Sequence, residues 1–192
     1  MSAAQETRIR AVSELAAGEA ARAYEAAVAV FWETANTATF DDAESRRRFI
    51  RKYFDYYWEE APELFLLAGG VGDPAAGGVR SAVLGYICGV ADTGRHPDLY
   101  ELSDHLPLFE DLYERYPAHL HINLTAASRG QGLGGRLIAA FEGRLSAPGL
   151  HLVTDAGARN VSFYRKNGFT DEFTRRLGGP DGPELLFMGK RL

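Results

Sequence analysis

The sequence has 192 residues, 46% of them apolar, and a net charge of −5 from 21 Lys and Arg against 26 Asp and Glu. A chain of this size and composition suits about one domain, here 1–192, and buries roughly 70% of its unfolded surface without a staple, so whole-chain disorder and a collagen-like fibre are excluded. The acidic balance lacks the footprint of a nucleic-acid binder and better suits a neutral or cationic substrate, and the longest uncharged apolar stretch, Ser81–Ala91, falls short of the ~18–20 residues of a membrane span.

Thr7–Val12 alternates polar and apolar residues and predicts a short strand. Ser13 is a suitable N-cap for an Ala-rich helix over Glu14–Glu33, and Asp41 or Asp42 for a second helix over Ala43–Glu60, which must stop before Pro62. Leu64–Ala68 and Ser81–Ala91 read as buried strands joined by a hairpin loop, Gly69–Gly78. Ser103–Tyr116 predicts a helical insert closed by Pro117. His119–Leu124 alternates again and predicts a strand, followed by an amphipathic helix over Gly130–Leu145 with Leu133, Leu137, Ile138 and Phe141 on one side. A strand at Leu150–Thr154, a short helix at Ala158–Lys166 and strands at Phe169–Leu177 and Glu184–Lys190 about the Gly178–Gly182 turn complete the chain. The order β-α-α-β-β-α-β-α-β-α-β-β predicts a mixed α/β (α+β) fold with both hairpins and crossovers.

Nothing at the N-terminus resembles a secretory signal. The lone Cys88 allows no intrachain disulfide, which suits a reducing, cytoplasmic setting. His96, His105 and His151 have no metal-ligand spacing with Cys88 or a carboxylate, so no metal is expected. No Gly-x-Ser-x-Gly elbow is present.

The most informative segment is Arg129-Gly130-Gln131-Gly132-Leu133-Gly134-Gly135-Arg136. Glycines between a strand and a helix let the backbone approach a ligand, and the amides at the helix start suit a pyrophosphate. Gly130-x-Gly132-x-x-Gly135 formally matches the dinucleotide fingerprint, with Asp155 imitating its acidic residue. Three features oppose that reading. Thr125–Arg129 separates the strand from the first glycine, only 57 residues follow Gly135, and the chain ends in a hairpin instead of a crossover. Glycines present merely for tight helix packing would place their cost in helix propensity at one terminus without return.

Arg129-x-x-Gly132-x-Gly134, after a strand and before an amphipathic helix, resembles the coenzyme A pyrophosphate loop of the GCN5-related N-acetyltransferases (GNAT). Tyr164-Arg-Lys-Asn-Gly168-Phe169 resembles the late Tyr-x-x-x-Gly-Phe signature of the same family, in its order and at about its spacing. The motifs span about Ala118–Phe169. The run Tyr116–Leu124, with Gly85-Tyr86-Ile87-Cys88 upstream, is further similar to bacterial relatives of the acetyltransferase-like C-terminal domain of O-GlcNAcase.

The resemblance implies a GNAT-type fold, a central mixed, mostly antiparallel sheet of about seven strands flanked by helices. It implies acetyl-CoA as the acetyl-donor cosubstrate. The pyrophosphate falls to backbone amides of Arg129, Gly130, Gln131, Gly132, Leu133 and Gly134, with Gly135 adjacent, and the pantetheine to backbone groups of Ile122 and Leu124. The Leu124 N–H takes the oxyanion and Tyr164 the departing thiolate, since a phenol of pKa about 10 is protonated at neutral pH. Asn160, four residues before the tyrosine, matches a less common coenzyme-contacting position; the commoner one is Gly157. Relatives often carry a carboxylate on the strand His119–Leu124, where this chain has Asn123, and an amide is no base. His119, His121, Asp155 and Asp92 are the alternatives for the base.

The family builds its acceptor side from the first two helices and the segment before the coenzyme-binding strand. That gives Phe31, Trp32, Phe49, Tyr53, Phe54, Tyr56, Tyr57, Trp58 and Tyr100. Tyr56, Tyr57 and Trp58 cannot share one helical face, which leaves aromatic surface for cation–π binding of an amine or for a partner. The acidic set Asp98, Glu101, Asp104, Glu110, Asp111 and Glu114, and the basic run Arg46-Arg47-Arg48, read by default as solvated helix faces; the alternatives are that the acidic set steers a cation and that the basic run meets the coenzyme's phosphate. The implied activity is transfer of acetyl from acetyl-CoA to a primary amine, a small molecule or a protein lysine, by a monomer or homodimer. The alternative is a non-catalytic module that binds coenzyme A or a partner; retention of the loop and Tyr164 favours the enzyme, and Asn123 in place of a carboxylate favours the module.

Overall fold

The computed structural model describes residues 7–35, 39–70 and 82–192. Most of the anticipated Gly69–Gly78 loop, and Ser81, lie outside the described residues, while Gly69 and Gly70 are the last two residues of a strand. The strands are β1 (Arg8–Ala11), β2 (Leu66–Gly70), β3 (Ala82–Val90), β4 (Ala118–Leu124), β5 (Gly149–Asp155), β6 (Asp171–Arg176) and β7 (Glu184–Arg191). They form a seven-stranded sheet in the order β1-β2-β3-β4-β5-β7-β6. β1/β2, β2/β3, β5/β7 and β6/β7 are antiparallel. β4 runs parallel to β5, paired at Ala118↔Leu150 and His119↔His151. With helices flanking this sheet, the expected mixed α/β architecture is the observed one.

Two compact units divide the chain. One comprises Met1–Cys88 with Ile122–Gly143, the other Gly89–His121 with Arg144–Leu192.

In the first unit α1 (Ala17–Thr34) buries Ala23, Ala27, Val30 and Phe31, an i, i+4, i+7, i+8 stripe. Ser13 is not its cap. The Val12 amide donates to Phe65 O and the Ser13 amide to Pro62 O, which holds this stretch against the chain before β2, and Leu15 and Ala16 stay extended. The helix therefore starts later than the sequence suggests. Asp42 caps α2 (Ala43–Ile50), its Oδ1 accepting from the Ser45 amide at 2.7 Å. The expected single helix to Glu60 is interrupted by a π-helical turn, Arg51–Asp55, before α3 (Tyr56–Glu60). The inserted residue shifts the helical phase. Phe54, Tyr56 and Tyr57 are all buried, so the free aromatic surface anticipated at Tyr56 and Tyr57 is absent. Phe54 is the hub of the core, with Tyr24, Phe31, Trp58, Phe65 and Tyr86 at ring-centroid distances of 5.1–6.0 Å.

In the second unit the insert is not one helix over Ser103–Tyr116. α4 (Pro97–Leu102) lies before that span, and within it runs a 3-10 stretch, Leu106–Leu112, kinked at Phe109. Pro97 sits in the first turn of α4 and Pro107 opens the next, positions where a missing N–H costs nothing, and extended Ser103 separates them. Phe109, Tyr116, His151 and Phe187 are its buried centre. α5 (Leu133–Glu142), in the first unit, buries the predicted Leu133, Leu137, Ile138 and Phe141. α6 (Val161–Lys166) belongs to the second.

Candidate functional site

In the first unit, the turn after β4 is built on the carbonyl of Leu84. The Thr125 amide, the Thr125 hydroxyl and the Ser128 hydroxyl donate to it at 3.0, 3.2 and 2.8 Å. Glu33 at the end of α1 accepts from the Ala126 amide at 2.9 Å. Arg129 turns back onto Leu124 O at 3.2 Å, and Gln131 onto Ala127 O at 2.7 Å. The turn is thus fixed by its own side chains before any ligand arrives.

Gly130 and Gly132 adopt φ of +75° and +78°, and a Cβ at either would meet nothing within 4 Å. Tight packing therefore does not explain these glycines. The left-handed backbone does, and it opens the turn to solvent. Gly132 precedes α5, whose amides at Leu133, Gly134 and Gly135 have no intrahelical acceptor by helix geometry; Arg136 N donates to Gly132 O at 3.2 Å. Leu133 and Gly134 are buried, which anchors the helix start. The arrangement is a rigid backbone cradle at the positive end of a helix, suited to an anion.

Gly85 on β3 brings this strand close to β4. An added Cβ would lie 2.5 Å from Leu124 Cδ2 and 2.7 Å from Asn123 O. Ile122 and Leu124 are half-buried. Asn123 is engaged at both ends: Thr34 Oγ1 donates to its Oδ1 at 2.9 Å, and its Nδ2 donates to the Tyr86 hydroxyl at 2.8 Å.

The second unit holds the remaining candidates. His119 is buried, its Nδ1 lying 2.8 Å from Thr93 Oγ1, which donates to Pro117 O at 2.8 Å. Burial, with other histidines nearby, holds its pKa well below the ordinary value, so it is a poor proton acceptor. His151 is likewise buried, bonded through Nδ1 to Tyr116 O, with its pKa pushed down to about 3 by desolvation. His121 is half-buried and its ring lies 5.7 Å from that of His119. Asp92 is taken by the Gly94 amide and Arg95. Asp155, ending β5, is exposed. Asn160 precedes α6 and its exposed side chain makes no cap bond, so helix capping does not explain it. Tyr164 is 7% exposed, and burial raises its phenol to about 12.

The loop, Ile122, Asn123 and Leu124 therefore lie in the first unit, and His121, Asp155, Asn160 and Tyr164 in the second. Sequence reasoning missed Glu33, Thr34 and Ser128, whose bonds to the turn and β4 join residues far apart in the chain. Gly85, an isolated glycine in an apolar strand, carried a readable sign of close backbone approach. Among the described residues no group of three or more side chains is placed to hold a metal ion, and no helix is long and apolar enough to cross a membrane.

No protein-family model matches the chain. Solved structures do. The crystal structure of SsHAT matches at 21% identity over 97% of this chain and 98% of that one, with a TM-score of 0.62. A GCN5-related N-acetyltransferase from Kribbella flavida matches at 15% identity over 97% and 98%, with a TM-score of 0.58. The structure of yncA from Salmonella typhimurium with its cofactor acetyl-CoA matches at 18% identity over 97% and 94%, with a TM-score of 0.52. The likeness at these identities is one of architecture: the chain has the fold of the GCN5-related N-acetyltransferases.

Proposed function

We propose that the chain is an N-acetyltransferase that moves acetyl from acetyl-CoA to a primary amine by direct attack. The observation that carries this reading is the open, left-handed turn at Gly130 and Gly132, prearranged by Leu84, Glu33 and Ser128. Acetyl-CoA supplies an activated thioester. The amides from Arg129 to Gly135 hold its pyrophosphate, and backbone groups of Ile122 and Leu124 its pantetheine. The amine nitrogen forms a bond to the thioester carbonyl carbon, the C–S bond breaks, the amine loses one proton and the thiolate gains one. The Leu124 N–H stabilises the oxyanion. Tyr164 is the hydrogen-bond donor to the thiolate. Its raised pKa keeps the phenol protonated across the working range, and full transfer to a thiolate of pKa about 8.5 is not needed for the bond to help.

His121 and Asp155 are the groups this reading leaves as proton acceptors; Asn123 orients β4, because both ends of its amide are engaged. Asn160 contacts the coenzyme. The narrower likeness to O-GlcNAcase-like bacterial proteins rests on Tyr116–Leu124 with Gly85-Tyr86-Ile87-Cys88 upstream, and a cytoplasmic setting on the lone Cys88. A second reading, a coenzyme-binding module without turnover, draws on Asn123 standing where relatives often have a carboxylate. Release of free coenzyme A thiol from acetyl-CoA, followed with a panel of amines, separates the two: amine-dependent release supports the enzyme, and coenzyme binding without release with any amine supports the module.

A further inference from the structure

The first unit constrains the acceptor's chemistry. Residues 43–52 carry five cations against one carboxylate in a chain that is acidic as a whole. Three of these cations lie over aromatic faces: Arg46 over Trp32 at 4.3 Å, Lys52 over Tyr53 at 4.9 Å and Arg51 over Tyr56 at 5.4 Å. The protein's own charges already use the π faces that a substrate ammonium would seek. The surface that the sequence offered for binding a cation is therefore set for the opposite charge.

Arg46 is the residue best placed to use it. Arg51 is paired with Glu59 and Glu60, and Arg47 with Glu44. The Arg46 guanidinium lies over the Trp32 ring and, among the described residues, makes no hydrogen bond or ion pair. Stacking engages the flat face of a guanidinium and leaves its N–H edge for a bidentate acceptor. The position is also relevant. Trp32 lies in the last turn of α1, and the next two residues grip the elements assigned to the acetyl donor: Glu33 holds the Ala126 amide and Thr34 holds Asn123, each at 2.9 Å. Around Trp32, the half-buried rings of Phe40 and Phe49 lie at centroid distances of 5.9 and 6.2 Å.

We propose that the acceptor is a primary amine that also carries a carboxylate, of the free amino-acid class, with Arg46 pairing the carboxylate and Phe40 and Phe49 meeting its apolar body. This rests on the acetyltransferase reading above. The carboxylate takes no part in the bond changes; it fixes the amine's position.

The test is calorimetric titration of the protein saturated with coenzyme A, first with L-phenylalanine and then with phenethylamine, which lacks only the carboxylate. The expected result is at least about tenfold tighter binding of phenylalanine, reduced to under about threefold in Arg46→Met, with acetyl-CoA affinity of that variant unchanged. Arg46→Lys, which keeps the charge and loses the fork, is expected to restore only part of the preference. Equal binding of the two compounds, a preference that survives in Arg46→Met, or no binding of either to the coenzyme-loaded protein would overturn the proposal. Failure of the unaltered protein to bind coenzyme A at all would instead overturn the parent reading, and the proposal with it.

Discussion

Thr34, the last residue of α1, donates its hydroxyl to Asn123 Oδ1 on β4 at 2.9 Å, and the other end of the same amide donates to the buried Tyr86 hydroxyl at 2.8 Å. One amide thus ties a helix, the strand proposed to bind the acetyl donor and the aromatic core. Asn123→Leu takes the amide donor from the buried Tyr86 hydroxyl, while Thr34 Oγ1 keeps Val30 O as an acceptor at 2.9 Å, and is expected to lower stability by about 1–3 kcal/mol, read from urea denaturation. A variant that loses turnover while keeping its denaturation midpoint would make Asn123 a catalytic group and not a positioning one.

Gly85→Ala is expected to damage both stability and coenzyme binding. The new methyl would lie 2.7 Å from Asn123 O, a backbone atom that cannot swing aside. Overpacking of this kind costs about 1–3 kcal/mol, and the displaced strand carries the Leu124 amide. Thermal melting and calorimetry with acetyl-CoA check the two effects; a variant normal in both would show that β3 and β4 have slack at this point.

Gly85 also marks how far the sequence could be read. Alternation and turn chemistry located the strands, and four glycines beside an amphipathic helix located the loop, because those signals are local. The start of α1 was misplaced because backbone bonds from Val12 and Ser13 to Phe65 and Pro62 override a good capping residue. The burial of both Tyr56 and Tyr57 depends on a π-helical turn that no spacing rule announces. Glu33, Thr34 and Ser128 escaped notice for a similar reason: each acts through a partner brought close only by folding or by an irregular turn. His119 looked like a base in an alternating strand, yet burial against Thr93 makes it a structural, neutral group.

Tyr164→Phe keeps the ring and removes the donor. It is expected to lower kcat by about 100-fold with little change in acetyl-CoA affinity. Because the phenol's pKa is raised to about 12, its protonated form persists through alkaline assay conditions, so no fall in rate between pH 8 and 10 should trace to Tyr164. Unchanged kcat in the variant would remove its assigned role.

His119 and His151 supply a pH dependence of stability. Both are depressed in the folded protein, His151 to about 3. Their ordinary value is about 6.5, so below that the unfolded chain takes up protons that the folded one refuses. The stabilisation is complete above pH 6.5 and is lost as pH falls from there, for His151 down to about 3, at up to about 1.4 kcal/mol per pH unit, with His119 acting in the same direction. Denaturation midpoints at pH 7, 6 and 5 should fall progressively, and less steeply in His151→Gln. A flat profile over this range would contradict the buried, neutral assignment.

The turn at Gly130–Gly135 is proposed to bind the pyrophosphate of coenzyme A. Isothermal titration with acetyl-CoA tests it, comparing the unaltered protein with Gly130→Glu and Gly132→Glu, each checked for folding by circular dichroism. Saturable binding in the first, with at least about a tenfold loss in the folded variants, is the predicted result. Absence of binding in the unaltered protein, or equal affinity in the folded variants, would contradict it.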